Sequence, residues 1–145
     1  MARIVLTDVA VVITTSTGTT DLSDHVASVS ISSTWDAVET TAFAGGNVPA
    51  AARTRQAGLV DNAVTLDFHQ DFAAGEVEAT IYPALGTIAA LRISPTTGAI
   101  SASNPEYQFN ALLSEWTPLN GAVGELATAS VTWPITGAIV KDVTP

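Results

Sequence analysis

The sequence predicts a mainly β fold, a β-sandwich or barrel with one flanking α-helix, and three observations carry that prediction. Several stretches alternate apolar and polar residues at a period of two, the spacing that sends successive side chains to opposite faces of a strand. Turn-forming residues separate them, at 95–98, at Asn104-Pro105 and at Asn120-Gly121. One stretch only, 73–86, has the period of a helix.

The opening residues 3–14 are a β-branched run, apolar on both faces, expected to form a strand buried on two sides. A turn at 16–20, with Gly18, follows. From Ala27 the chain alternates, with Ala27, Val29, Ile31 and Trp35 on one face and Ser28, Ser30, Ser32, Thr34 and Asp36 on the other. Residues 44–58, AGGNVPAAARTRQAG, have no sustained period and read as a loop of unusual length. The next strand puts Val64, Leu66, Phe68 and Phe72 on one face, against Asp61, Thr65, Asp67, His69 and Asp71 on the other. In the helical stretch Val77, Ile81 and Leu85 recur at i, i+4 and i+8, Glu76 and Glu78 sit in the first turns where the macrodipole favours acid, Pro83 shortens it and Gly86 stops it. Strands are expected at 87–94, 106–116 and 126–135, the last with Ala127, Ala129, Val131, Trp133 and Ile135 opposite Thr128, Ser130 and Thr132.

At 145 residues the chain is long enough to bury a core without staples, and with no internal repeat it reads as one domain, 1–145. Hydrophobic residues make up 47% and charged residues 13%, a surface that suits protein contacts and equally fits an ordinary β-domain. The net charge of −9 opposes gripping a nucleic acid, because phosphate binding draws on Lys and Arg. A like-charged wall nevertheless suits a passage through which DNA slides without sticking. The absence of cysteine excludes disulfides and thiolate metal sites. The N-terminal stretch MARIVLTDVAVVITT is interrupted by Thr7 and Asp8, and no run reaches the roughly 20 apolar residues of a bilayer span. Neither signal peptide nor membrane span is expected, and synthesis in a cytoplasm is.

Catalytic constellations fit poorly. Asp67 and Asp71 share a predicted face but lie about 13 Å apart at 3.3 Å per residue, beyond the spacing of glycosidase pairs. There is no GxSxG elbow, no phosphate loop and no HExxH. The chain has two histidines, His25 and His69; Asp24-His25 and Asp67-x-His69 could donate to an ion if the fold joined them, but each reads first as a surface imidazole beside a solvated carboxylate. No enzyme, cofactor or metal is therefore expected. Trp35, Trp116 and Trp133 all fall on predicted strands, where core or subunit packing is the first reading and a sugar-stacking platform the second.

Two features point to assembly. The face carrying Asp61, Asp67, His69 and Asp71 and the one carrying Ser28, Ser30 and Thr34 are polar surfaces with no Lys or Arg of their own. The 44–58 loop, with Asn47, Arg53, Arg55 and Gln56, suits an arm reaching an acidic neighbouring subunit, a solvated loop being the alternative.

Three blocks, DLSDHVASVSISSTWDAVETTAF (21–43), RTRQAGLVDNAVTLDFHQDF (53–72) and NPEYQFNALLSEWTPLNGAVGELATASVTWP (104–134), give the chain a resemblance to the major tail tube proteins of long-tailed, non-contractile bacteriophages, particularly those of actinobacteria. The resemblance implies a tail-tube β-barrel or sandwich that assembles into stacked hexameric rings around a tape measure protein, joined at its ends by tail-end proteins. DNA would pass through without specific binding, and against that bore the faces carrying Asp61, Asp67, His69 and Asp71, then Ser28, Ser30 and Thr34, are the candidates for the lumen wall; the subunit would reside in the virion tail after assembly in the host cytoplasm. The sequence departs from some members by stopping at Pro145, without their C-terminal immunoglobulin-like decoration, so a host-surface adhesion role is not expected. The tube of a contractile injection or secretion device and, in a different class, a carbohydrate-binding β-sandwich are the alternatives.

Overall fold

A computed structural model of the chain describes residues 3–42 and 52–145. Seven antiparallel strands form one sheet: β1 (Ala10–Thr15), β2 (Gly18–Asp21), β3 (Val26–Glu39), β4 (Arg55–His69), β5 (Ile88–Ser94), β6 (Glu106–Leu112) and β7 (Thr128–Asp142). The order across the sheet is β2-β1-β5-β6-β7-β4-β3. A five-residue helix, α1 (Val77–Ile81), lies between β4 and β5.

One face of this sheet supplies most of the core. Val11 and Ile13 of β1, Val64, Leu66 and Phe68 of β4, Ala89, Leu91 and Ile93 of β5, Phe109 and Ala111 of β6, and Ala129, Val131, Trp133 and Ile135 of β7 are buried together with Val77 and Ile81 of α1. With one five-residue helix to cover it, the sheet buries that face by rolling onto itself. The rolling is visible where Val29 and Ile31 of edge strand β3 line a cleft with Ile93 of β5 and Tyr107 of β6.

Strand β7 makes the corner. Its first half, up to Ile135, pairs with β4, and from Ile135 onward it pairs with β6. The register with β6 shifts just past the change of partner, and Gly137 there has φ +86°, a conformation a side chain would strain. Asn62 of β4 braces the bend by donating through Nδ2 to the Gly137 carbonyl at 3.1 Å. Strands that bend and change partners in this way form the corners of orthogonally packed sheets.

Several expectations need correction. The opening strand is short: β1 begins at Ala10, has one buried face, and Ile4, Val5 and Leu6 before it are exposed. The last strand runs seven residues beyond the predicted end, because the glycine bulge hides its continuation from a period-two reading. The helix is one turn and a half, since Pro83 lacks an amide donor and continues as a 3-10 turn over Tyr82–Ala84. Phe72 lies beyond the end of β4 and is exposed, and Ala27 sits at a register shift and is exposed too. Residues 55–58, read as the end of the long loop, belong to β4.

Candidate functional site

The two predicted polar sets meet on one surface. Ser28, Ser30 and Thr34 of β3 stand opposite Asp67, Thr65 and Asp61 of β4. On the far side of β4, Asp67 is opposite Ser130, Thr65 opposite Thr132, and His69 opposite Thr128. The rows thus read Ser28-Asp67-Ser130 and Ser30-Thr65-Thr132, on the sheet face turned away from Val64, Leu66 and Phe68. The Ser130 hydroxyl donates to Asp67, and the Thr65 and Thr132 hydroxyls lie 3.1 Å apart. Neither row contains Lys or Arg, so these rows offer hydroxyls and a carboxylate but no cation to hold a phosphate. Ser130 and Thr132 were visible as one face of a strand in the sequence; what the sequence lacked was the pairing that sets them beside Asp67.

Asp71 does not belong to this surface. β4 ends at His69, and the chain has turned by Asp71, whose Oδ1 accepts from the Ala73 amide at 2.9 Å. The expected line of three carboxylates is therefore Asp61 and Asp67 with His69 beyond them. The His69 ring is partly buried, with its Nδ1 shielded and without a hydrogen-bond partner among the described residues.

Beyond this surface the β3–β4 hairpin runs on as an arm. β7 pairs with β4 only from Asn62 onward, so among the described residues 55–61 of β4 has β3 as its sole strand neighbour. The arm exposes Leu59 (81%), Trp35 (60%) and Val38 (50%). An isolated two-stranded ribbon is marginal in water, and one carrying apolar side chains is more so. At the bulge between Trp35 and Ala37 the strands approach so closely that a Cβ on Gly58 would stand 2.8 Å from Val38 Cγ2 and 3.1 Å from Asp36 Cβ. Arg55 and Gln56 lie exposed on the arm. Arg53 lies just before it, its Nε 3.8 Å from Glu39 of the same chain, so its first acidic partner is internal. Asn47, the remaining candidate, lies outside the described residues.

At another edge a histidine gathers three carboxylates. The 3-10 turn Ser23–His25 after β2 presents His25, whose Nδ1 is 2.8 Å from Asp24 Oδ1 and whose Nε2 is 3.0 Å from Asp71 Oδ2 and 3.5 Å from Glu76 Oε2. Hydrogen bonding to Asp71, with the charges of Asp24 and Glu76, raises the His25 pKa above its ordinary value against a smaller opposing effect of burial. The Ala73 amide, then His25, lower that of Asp71. Sequence spacing hid this cluster because Asp71 and Glu76 come from a segment far along the chain from His25; only Asp24 is adjacent to it.

No family model matches the sequence, and neither does any curated protein sequence. Among solved structures, a chain of the virion of a native gene transfer agent particle superposes with a TM-score of 0.68 at 12% identity, over 90% of this chain and 94% of that one. A chain from the sixfold-symmetrised baseplate of the anti-feeding prophage superposes with a TM-score of 0.61 at 10% identity, over 97% and 96%. The chain shares its fold with both. The likeness spans each partner almost end to end, so it concerns the whole rolled sheet and not a local motif.

This fold leaves little room for a sugar platform of tryptophans. Trp133 is fully buried, and Trp116 packs edge-on against Phe68 with its indole N–H engaged. Trp35, on the arm, is the exposed one. No described helix is long and apolar enough to cross a membrane.

Proposed function

We propose that the chain is the structural subunit of a phage tail tube, assembling into hexameric rings that stack into a hollow conduit for DNA. The observation that carries this reading is the arm: a two-stranded projection with Trp35, Val38 and Leu59 in solvent, bordered by the 14-residue edge strand β3 with one side unpaired. Exposed strand edges and apolar ribbons are liabilities in a monomer and assets in an assembly that covers them. The hydroxyl and carboxylate surface of β3, β4 and β7 is assigned to the lumen, where DNA passes a wall without cations to hold it. A tape measure protein would occupy that lumen during assembly, and tail-end proteins would close it. The reading is of a virion component without enzymatic activity. Shared fold with a virion chain supports it, and the sixfold symmetry of the baseplate particle supports rings of six.

The likeness to a baseplate chain also favours a second reading, the tube of a contractile injection device. A sheath gene beside this one would select the second reading. Negative-stain microscopy of the purified chain at high concentration tests what both share: rings or hollow filaments are expected, and a strictly monomeric species under all conditions, with no tube in a phage lysate, overturns both.

A further inference from the structure

We propose that His25, Asp71 and Glu76 form a binding site for one divalent transition-metal ion of the zinc type, with Asp24 orienting the imidazole from behind. Their ligand atoms, one imidazole nitrogen and two carboxylate oxygens, all lie within 4.8 Å of one another. Two ligands each about 2.1 Å from a tetrahedral ion lie about 3.4 Å apart. The Nε2 to Asp71 and Nε2 to Glu76 separations of 3.0 and 3.5 Å bracket that spacing, and the two carboxylates lie within 4.8 Å of each other, close enough to draw in on one ion.

Three further features point the same way. With Asp24 accepting from Nδ1–H, the Nε2 proton shared with Asp71 is the one an ion would displace, and the lone pair so freed would point at the two carboxylates; a carboxylate behind a histidine is the usual outer partner of a metal-bound imidazole. Asp71 is held by the Ala73 amide through Oδ1, so Oδ2 is already aimed. Three carboxylates face one imidazole, and among the described residues no Lys or Arg lies within 4.0 Å of them. A proton on His25 supplies one positive charge against three negative ones; a divalent ion supplies two. The His25 side chain is 16% exposed while those of Asp71 and Glu76 are 37% and 38% exposed, so the carboxylates open to water that can complete the coordination. The nitrogen ligand selects zinc, cobalt or nickel over magnesium and calcium, which favour all-oxygen sites. Bound there, the ion would pin the turn after β2 to the segment between β4 and α1.

The full-length chain, stripped with a chelator and dialysed, should take up one zinc ion saturably by calorimetry at slightly alkaline pH, with magnesium failing to compete. Cobalt should give a visible absorption band of low coordination number. His25→Gln should abolish uptake, whereas His69→Gln, which removes the other histidine, should leave it unchanged; Asp24→Asn should weaken it about tenfold to a hundredfold. The imidazole resonances of His25 in the wild-type chain provide a reading that needs no variant, and they should move on zinc addition. Absence of saturable uptake, uptake that survives His25→Gln, equal binding of magnesium, or unmoved His25 resonances would each overturn the site.

Discussion

The indole Nε1 of Trp116 donates a 2.7 Å hydrogen bond to Glu78 Oε2, and through it the short helix α1 is tied to the segment between β6 and β7. Glu78 Oε2 accepts also from Gln70 Nε2 at 3.0 Å, while the Trp116 ring stands edge-on to Phe68 with centroids 5.7 Å apart. A five-residue helix has no stability of its own, so these bonds and the burial of Val77 and Ile81 hold it. Glu78→Ala leaves a partly buried indole N–H without its acceptor and should cost about 1–3 kcal/mol in urea unfolding. Glu78→Gln, which retains an acceptor oxygen and the same shape, should cost less; equal losses would mean that the bonds require the full charge of the carboxylate.

The three tryptophans separate stability from assembly. Trp133 is fully buried and its Nε1 donates to the Glu115 carbonyl at 2.9 Å, so Trp133→Ala should lose about 3–5 kcal/mol. Trp35 is 60% exposed on the arm, and Trp35→Ala should change the unfolding free energy of the isolated chain by no more than about 0.5 kcal/mol. It should instead reduce the yield of rings or filaments at a given protein concentration. A Trp35→Ala chain that assembles like the wild type would take the arm out of the interface.

Both residues lie on alternating strands, which shows what a sequence can and cannot deliver here. Alternation around Val64, Leu66 and Phe68 and around Ala129, Val131 and Trp133 assigned core faces correctly, because a period of two is a local property of strands. Whether a face is covered depends on which strands extend beyond their neighbours. Trp35 falls in the part of β3 where β4 has already outrun β7, and no local pattern encodes that length difference. The same limit explains the lumen candidates. Asp61, Asp67 and His69 share a face as their spacing requires, whereas Asp71 was counted with them only because nothing in the sequence marks the end of β4 at His69. The metal-type cluster escaped for the opposite reason: its donors come from separate segments that only the rolled sheet brings together.

The pH dependence of stability follows from the His25 cluster. In a chelator-containing buffer His25 carries a proton more tightly in the folded chain than in the unfolded one, so its contribution is fully present below the unfolded pKa of about 6.5 and is lost as pH rises through the higher folded value. Asp71 has the opposite sign: its contribution is present above the unfolded value of 3.8 and is lost as pH falls through the lower folded value. The two overlap in the weakly acidic range. Thermal melts of the wild type and His25→Gln should therefore differ most there and converge as pH rises past the folded pKa of His25. A constant difference across neutrality would show that the imidazole contributes by packing and not by charge.

The lumen assignment predicts that Asp61→Lys with Asp67→Lys leaves tubes able to form but impairs DNA delivery, since cations on the wall would hold phosphates. Ser130 loses its carboxylate acceptor in this variant, but the bond is exposed and the fold should survive. Normal infectivity of phage carrying both substitutions would place this surface outside the bore.

The arm assignment can be tested by charge reversal, provided the chain's own pairing is separated from any contact with a neighbour. Arg53→Glu with Arg55→Glu is expected to weaken assembly while leaving the core intact, but it also sets two acids beside Glu39, which lies 3.8 Å from Arg53 and opposite Arg55 in the ladder. Exposed pairs of this kind contribute about 0–1 kcal/mol, enough to disturb an arm held by two strands alone. Adding Glu39→Arg restores opposite charges within the arm while the two reversed positions still present acid to a neighbour. If the arginines reach an acidic subunit, the triple variant should recover the arm's own order and remain deficient in assembly, as read by filament yield and sedimentation. Full recovery would show that the two arginines serve Glu39 of their own chain, and would leave the exposed Leu59 and Trp35 to make the contact.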